Sequence, residues 1–230
     1  MKVLSIDTSN YVLGIALLEG EKVVGEFITN LPKNHSVRVM PAIQQLLQEC
    51  GIRANELEKI VVAKGPGSYT GVRIGVTIAK TLAWSLNIPL VGVSSLEVVA
   101  ANGRYFDGVI SPIFDARRGQ VYTGLYRYHG QDLYCEKSDQ IILLTDWLTE
   151  LKSEETKVLF IGNDLPIHEE KIKTGLAELA YVAPYTDWNP RPSELALLGR
   201  NREPEDVHTF VPNYIRMAEA EANWLGKRQG

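Results

Sequence analysis

Short apolar runs separated by polar turns open the chain. Residues 3–6 read as a buried strand that stops at Asp7-Thr8-Ser9-Asn10, and 12–18 as a second apolar strand. Glu19-Gly20 then reverses the chain tightly into 23–28, which predicts an antiparallel meander of three strands. The period next changes. Val39, Met40, Ile43, Leu46, Leu47 and Cys50 recur at helical spacing on one face. They predict a helix over about 36–50, capped by Ser36, with Pro41 as a local irregularity and Gly51 as its stop. Residues 59–63 form a further buried strand, broken by Gly65-Pro66-Gly67. A long helix follows from about 70 to 86, halted by Asn87-Ile-Pro89. A strand at 90–93 and a short helix to 101, capped by Ser94 and Ser95, end the first half.

The second half repeats the theme. Strands at 109–114 and 119–128 flank the turn Asp115-Ala116-Arg117-Arg118, and 133–142 pairs next. Helices at 146–151 and 166–175 alternate with strands at 158–161 and 179–182. Ser193 caps a last helix to 199, and the mixed tail after 203 has its most ordered-looking stretch at 212–216. Each half opens with antiparallel strands and continues with strand–helix alternation. The expected fold class is therefore α/β, with two similar lobes at 1–103 and 104–230, each a mixed sheet flanked by helices.

Composition narrows the class. The chain has 230 residues, 45% of them apolar and 23% charged, enough for a sizeable core. A net charge of -4 argues against an independent grip on RNA or DNA, where phosphate contacts dominate affinity. Cys50 and Cys135 are far apart and read as reduced thiols. No apolar run approaches the roughly 18 residues that span a bilayer, and Met1-Lys2-Val3-Leu4 runs straight into a strand without a leader. The expected location is the cytoplasm.

The sharpest motif is Gly65-Pro66-Gly67-Ser68-Tyr69-Thr70-Gly71-Val72-Arg73-Ile74-Gly75, between a strand and a helix. Glycines let a backbone approach a phosphate, and a helix N-terminus offers free N–H groups. Yet the motif lacks the Gly-Lys-Ser/Thr ending of a phosphate loop. The plainer reading is a tight turn capped by Ser68 or Thr70. Gly71 and Gly75 share a helix face with Val72, Val76 and Ala79, which permits close packing on a sheet. Asp7 and Asp115 each follow a strand and could face each other across a cleft to hold a metal–nucleotide complex. Their neighbours favour turn chemistry instead. Thr8, Ser9 and Asn10 in one loop, and Ala116, Arg117 and Arg118 in the other, stand where glycines would be needed. His35, His129, His168 and His208 show no zinc-ligand spacing.

The segments Val3-Leu-Ser-Ile-Asp7-Thr-Ser9, 65–75, Phe114-Asp-Ala-Arg-Arg-Gly-Gln-Val-Tyr122 and Pro212-Asn-Tyr-Ile-Arg216 together resemble the TsaB family of bacterial tRNA threonylcarbamoyladenosine biosynthesis proteins. The resemblance spans nearly the whole chain. It implies an actin/Hsp70-like (ASKHA) fold and a supporting role without a catalytic centre. The implied partner is a homologous catalytic subunit, TsaD, which carries a His-based metal site. That subunit transfers a threonylcarbamoyl group to N6 of the adenosine beside the anticodon. A small ATPase, TsaE, joins the assembly, the supporting subunit forms a homodimer when alone, and tRNA is met indirectly. No cofactor or metal of its own is implied, with ATP or ADP at the partner interface left open. By the family's pattern, the two long helices of the first lobe make the partner contact. Helical geometry then selects Arg73, Ile74, Thr77, Thr81 and Trp84, joined by Pro41 and Gln44. Three alternatives remain: an actin-like kinase or ATPase using Asp7 and Asp115, a glycoprotease-type peptidase, and a free-standing structural dimer with no tRNA role.

Overall fold

A computed structural model describes residues 1–31 and 34–215. Arg216 and the remainder of the tail lie outside the described residues. The opening meander forms as β1 (Lys2–Asp7), β2 (Leu13–Glu19) and β3 (Lys22–Thr29). After it come α1 (Val39–Glu49), β4 (Lys59–Ala63), α2 (Tyr69–Leu86), β5 (Leu90–Val93) and α3 (Ser95–Ala100). The second half contains β6 (Val109–Pro112), β7 (Phe114–Asp115), β8 (Gln120–His129) and β9 (Asp132–Leu143). It continues with α4 (Leu144–Lys152), β10 (Val158–Ile161), α5 (Leu165–Leu176), β11 (Ala180–Val182) and α6 (Pro192–Arg200).

The first sheet has the order β3-β2-β1-β4-β5. β1 pairs antiparallel with β2 and parallel with β4, so a hairpin side meets a crossover side at β1. The second sheet runs β11-β10-β6-β8-β7, with β9 also on β8. β6 again joins an antiparallel neighbour, β8, to a parallel one, β10. This is the same plan twice.

Strand alternation sorts the first core into layers, because successive side chains point to opposite faces. Leu4, Ile6, Ile15, Ile60 and Val62 face α1 and α2, meeting Ala42, Ile43, Val72, Val76 and Ala79. Val3, Ala16, Leu18, Val61 and Val91 face the other way, onto Leu195 and Ala196 of α6. Gly199 shows how close α6 lies: a Cβ there would be 2.3 Å from Val61 Cγ1. The second lobe has a single large core around Trp147 and Phe160. Trp147 Nε1 donates to Ser111 Oγ at 3.0 Å, so the indole is buried with its polar atom paired.

The strands divide between β5 and β6, but the flanking helices do not follow that division. α3 follows β5 yet contributes Leu96, Val99 and Ala100 to the second core. α6 follows β11 yet covers the first sheet. Each lobe thus lends the other its last helix. Beyond α6, Glu205 bridges to Leu90 at the β5 edge and Phe210 enters the first core. Asn213 N then donates to Lys64 O at 2.6 Å, bringing the chain beside the Gly65 turn.

Three local expectations change. Asn34, not Ser36, caps a short 3-10 turn ahead of α1, because its side chain accepts from Ser36 N. Pro41 causes no irregularity, since it falls in the first turn of α1, where N–H groups lack intrahelical acceptors anyway. Ser193 is not a cap. It lies inside α6, where its N and Oγ donate to Glu26 Oε1 at 2.9 and 2.5 Å. Burial raises the Glu26 pKa, but hydrogen bonds from Ser193 and Arg191 outweigh it and hold the carboxyl below its ordinary range.

Candidate functional site: an interlobe cleft and an outer helix face

The turns after β1 and β7 meet across a cleft of about 760 Å³. It is lined from the first lobe by Ser9, Asn10, Tyr11 and 67–70, and from the second by 114–118, Tyr122 and Asp164. Asp7, two residues before the lining Ser9, is fully buried. Its Oδ1 accepts from Ser9 N at 2.8 Å, and Oδ2 has no partner. Burial pushes this carboxyl above its ordinary pKa.

The glycine motif explains the burial. Ser68 N donates to Ser9 O at 2.7 Å, and Thr8 Oγ1 donates to Gly71 O at 2.7 Å. Cβ atoms at Gly67, Gly71 and Gly75 would fall 2.1 Å from Ser9 O, 2.2 Å from Thr8 O and 2.5 Å from Thr8 Oγ1. These glycines serve close contact between α2 and the 7–9 turn, the packing role that the Gly71/Gly75 face predicts. Ser68, the first of the two proposed caps, accepts from Gly71 N at 3.3 Å. The motif therefore cradles a neighbouring turn with the backbone freedom that a phosphate loop would need.

The second-lobe turn is held differently. Asp115 Oδ1 lies 3.0 Å from Nε2 of the buried His168, and Asp115 N donates to Asp164 Oδ2 at 2.8 Å. Asp164 is pushed up, chiefly by burial, with the nearby Asp115 charge adding to it. Arg117 and Arg118 both adopt left-handed backbone, φ 65° and 54°, at the cleft rim. The His168–Asp115 pair was missed from sequence because 53 positions separate the two residues. Among the described residues, no group of three or more His, Cys, Asp or Glu side chains is placed to hold a metal ion.

A second region lies on the outer side of α1 and α2, away from the sheet they cover. Pro41 and Gln44 are exposed on α1, and Arg73, Thr77, Thr81 and Trp84 on α2. Trp84 is 65% exposed, a large apolar side chain with no cover. Ile74 differs: it is half-buried and packs against the first core. Arg73 sits 4.8 Å over the Tyr69 ring, and Tyr69 lies 4.9 Å from Tyr214. Met40, which helical spacing assigns to the apolar face of α1, is instead 44% exposed, and Val37 just ahead of α1 is exposed as well. Ser9 and Asp115 line the cleft while Asp7 and Thr8 are buried, so the sequence-selected residues fall into separate groups.

Comparisons with known proteins agree with this architecture. The family model described as "TsaD: tRNA N6-adenosine threonylcarbamoyltransferase" matches residues 22–224. The chain is 59% identical over 225 residues to the tRNA threonylcarbamoyladenosine biosynthesis protein TsaB of Bacillus subtilis, covering 98% of each. It is 31% identical to the TsaB protein of Buchnera aphidicola from Schizaphis graminum, over 70% of this chain and 78% of that one. Among solved structures, a Pseudomonas aeruginosa protein described as uncharacterized, with similarity to peptidase YeaZ, superposes with a TM-score of 0.80. That likeness covers 94% of this chain and 99% of that one at 24% identity. A ROK hexokinase from Thermus thermophilus gives 0.50 at 12% identity, over 87% and 98%. The fold is the actin/Hsp70-like one, with its two lobes and mixed sheets. No helix among the described residues is long and apolar enough to cross a membrane. Taken with the full-length likeness, these observations place the chain in the TsaB family, which acts in tRNA threonylcarbamoyladenosine biosynthesis.

Proposed function

We propose that this chain is the non-catalytic, cytoplasmic subunit that docks and activates the TsaD transferase, and that the outer face of α1 and α2 is the docking surface. The observation that carries the reading is Trp84, 65% exposed on an α2 arc of short polar side chains. A large uncovered aromatic among Thr77 and Thr81 has the character of an interface anchor. The closed packing of the 7–9 turn supports the same view. Its glycines and its carboxylate are spent inside the lobe, and the phosphates of a metal–nucleotide complex find no open backbone there. The match to a transferase family model fits a partner of related fold. In this reading the same face joins two copies of the chain when TsaD is absent, TsaE binds the assembled pair, and tRNA is contacted through TsaD. The chain supplies no cofactor of its own, and any ATP or ADP would lodge at the partner interface.

Thr77→Asp places an unpaired charge in the centre of the face, where a desolvated charge costs several kcal/mol. It should abolish co-elution with TsaD on gel filtration and remove tRNA modification in a reconstitution with TsaD, TsaE, threonylcarbamoyl-AMP and tRNA. Trp84→Ala should weaken the complex by about 2 kcal/mol or more, roughly 30-fold. Unchanged complex formation by both variants would exclude this face. Modification at full rate with the chain omitted would exclude the supporting role itself.

A further inference from the structure

The second lobe carries a groove that neither region above includes. α4 and α5 pack side by side, and between them lies a cavity of about 570 Å³. Its floor is apolar. Leu148 of α4 belongs to the second core, and Gly175 of α5 stands against it: a Cβ at 175 would be 3.0 Å from Leu148 Cδ1. Any larger side chain at 175 would intrude on the groove, so a residue that is a poor helix former keeps it open. On α4 the lining residues from Thr145 to Lys152 form one helical stripe about 10 Å long. That is too short to seat a partner helix of several turns, whereas the volume is that of a small-molecule site.

The polar groups of the walls sort into two kinds. The three lining threonines have already committed their hydroxyl protons. Thr149 Oγ1 donates to Thr145 O at 2.9 Å, Thr174 Oγ1 to Glu170 O at 2.8 Å, and Thr145 Oγ1 to Asp146 Oδ1 at 3.3 Å. What remains is charge. Lys152 and Lys171 line the groove, are exposed, and have no hydrogen bond or ion pair among the described residues. Acids close to them in sequence are engaged elsewhere: Glu150 and Glu154 by Lys137, and Glu169 by Lys173. Glu170 returns one negative charge to the lining. Two ammonium groups against one carboxylate still leave the groove positive, in a chain whose net charge is -4. Lysine stems are apolar up to the ammonium, so they extend the floor while keeping the charge at the rim.

We propose that this groove binds a medium-chain carboxylate. The unbranched apolar chain lies along Leu148 and Gly175, and the carboxylate sits at the rim within reach of the lysine ammonium groups. A phosphate does not suit the site. It calls for several convergent donors, and the committed hydroxyls leave only two flexible cations. The groove shares no residue with the interlobe cleft or with the outer face of α1 and α2, so the proposal stands whatever docks there.

The test is titration of the full chain with octanoate, octanamide and inorganic phosphate, followed by backbone amide shifts in NMR spectra. Octanoate should bind saturably, with its shifts confined to α4 and α5. It should bind about fivefold more tightly than octanamide, a modest preference because exposed ion pairs contribute little. Added salt should erode that preference, and phosphate should shift nothing in the groove. Thr149→Trp replaces an exposed side chain with one that fills the groove, and should abolish binding of both chains with the fold retained. Lys152→Met combined with Lys171→Met keeps the apolar stems, and should bring octanoate down to the octanamide affinity while leaving octanamide unchanged. Glu170→Gln should strengthen octanoate alone. Four results would overturn the proposal: no saturable octanoate binding, equal affinity for octanoate and octanamide in the wild type, shifts centred on the exposed Trp84 instead of α4 and α5, or binding untouched by Thr149→Trp in folded protein. Saturable phosphate binding in the groove would also overturn it, in favour of an anion site without an apolar requirement.

Discussion

The two turns that face each other across the cleft occupy matching places in a repeated plan, yet they are stabilised by opposite means. The first, at 7–9, is gripped by backbone. Glycines of the next helix press against its carbonyls, and its carboxylate is sealed away with one oxygen unpaired. The second, at 115–118, is gripped by side chains. Asp115 leans on His168, and its amide donates to Asp164. One turn is steric and intolerant of added atoms, and the other is electrostatic and intolerant of lost partners. Duplication preserved the strand order while each copy found its own way to fix the loop at its strand end.

The contrast can be broken most forcefully at Gly67. A Cβ 2.1 Å from Ser9 O must displace backbone, so Gly67→Ala should cost about 3 kcal/mol, at the upper end for overpacking. Urea unfolding reads this directly, and a loss under about 0.5 kcal/mol would show that the first turn yields. The next effect is at His168. His168→Gln weakens the support of a partly buried carboxylate and should cost about 1–2 kcal/mol. A neutral outcome would make the second turn as self-sufficient as the first.

The smallest expected effect is at Asp7, and its sign is the informative part. Burial raises the folded pKa above the ordinary 3.8, so ionisation favours the unfolded chain. Wild-type stability should fall as pH rises from about 4 through the raised value. Asp7→Asn keeps an acceptor for Ser9 N and should lose that dependence. At pH 7 it should be as stable as wild type or slightly more so, with tRNA modification in reconstitution unchanged. Destabilisation at pH 7, or a lost activity, would mean that the Asp7 charge is used rather than merely tolerated.

Much of the architecture could be read from period and punctuation. The change from strand runs to a 3.6-residue repeat marks α1, and Asn87, with φ 53°, ends α2 where the sequence stops it. The glycine motif stood out on composition alone. Its purpose did not, because Gly67 and Gly75 answer to Ser9 and Thr8, almost sixty residues or more earlier. The same limit hid the His168–Asp115 pair and the contact between Tyr214 and Tyr69. Ser193 misled for a related reason. A serine at a helix start suggests a cap, but Glu26 of a distant strand approaches that helix end and takes its hydrogen bonds. Local pattern gives elements, whereas long-range contact decides what a conspicuous residue is for.

The exchange of α3 and α6 bears on how the molecule could come apart. Severed between 103 and 104, the N-terminal piece would keep its five strands but lose the helix that covers Val61 and Val91. The C-terminal piece would lack Leu96, Val99 and Ala100 from beneath its sheet. Each would display a bare apolar seat shaped for a helix held by the other. The pieces should therefore be unstable alone and regain native structure when mixed, since each lobe completes its neighbour.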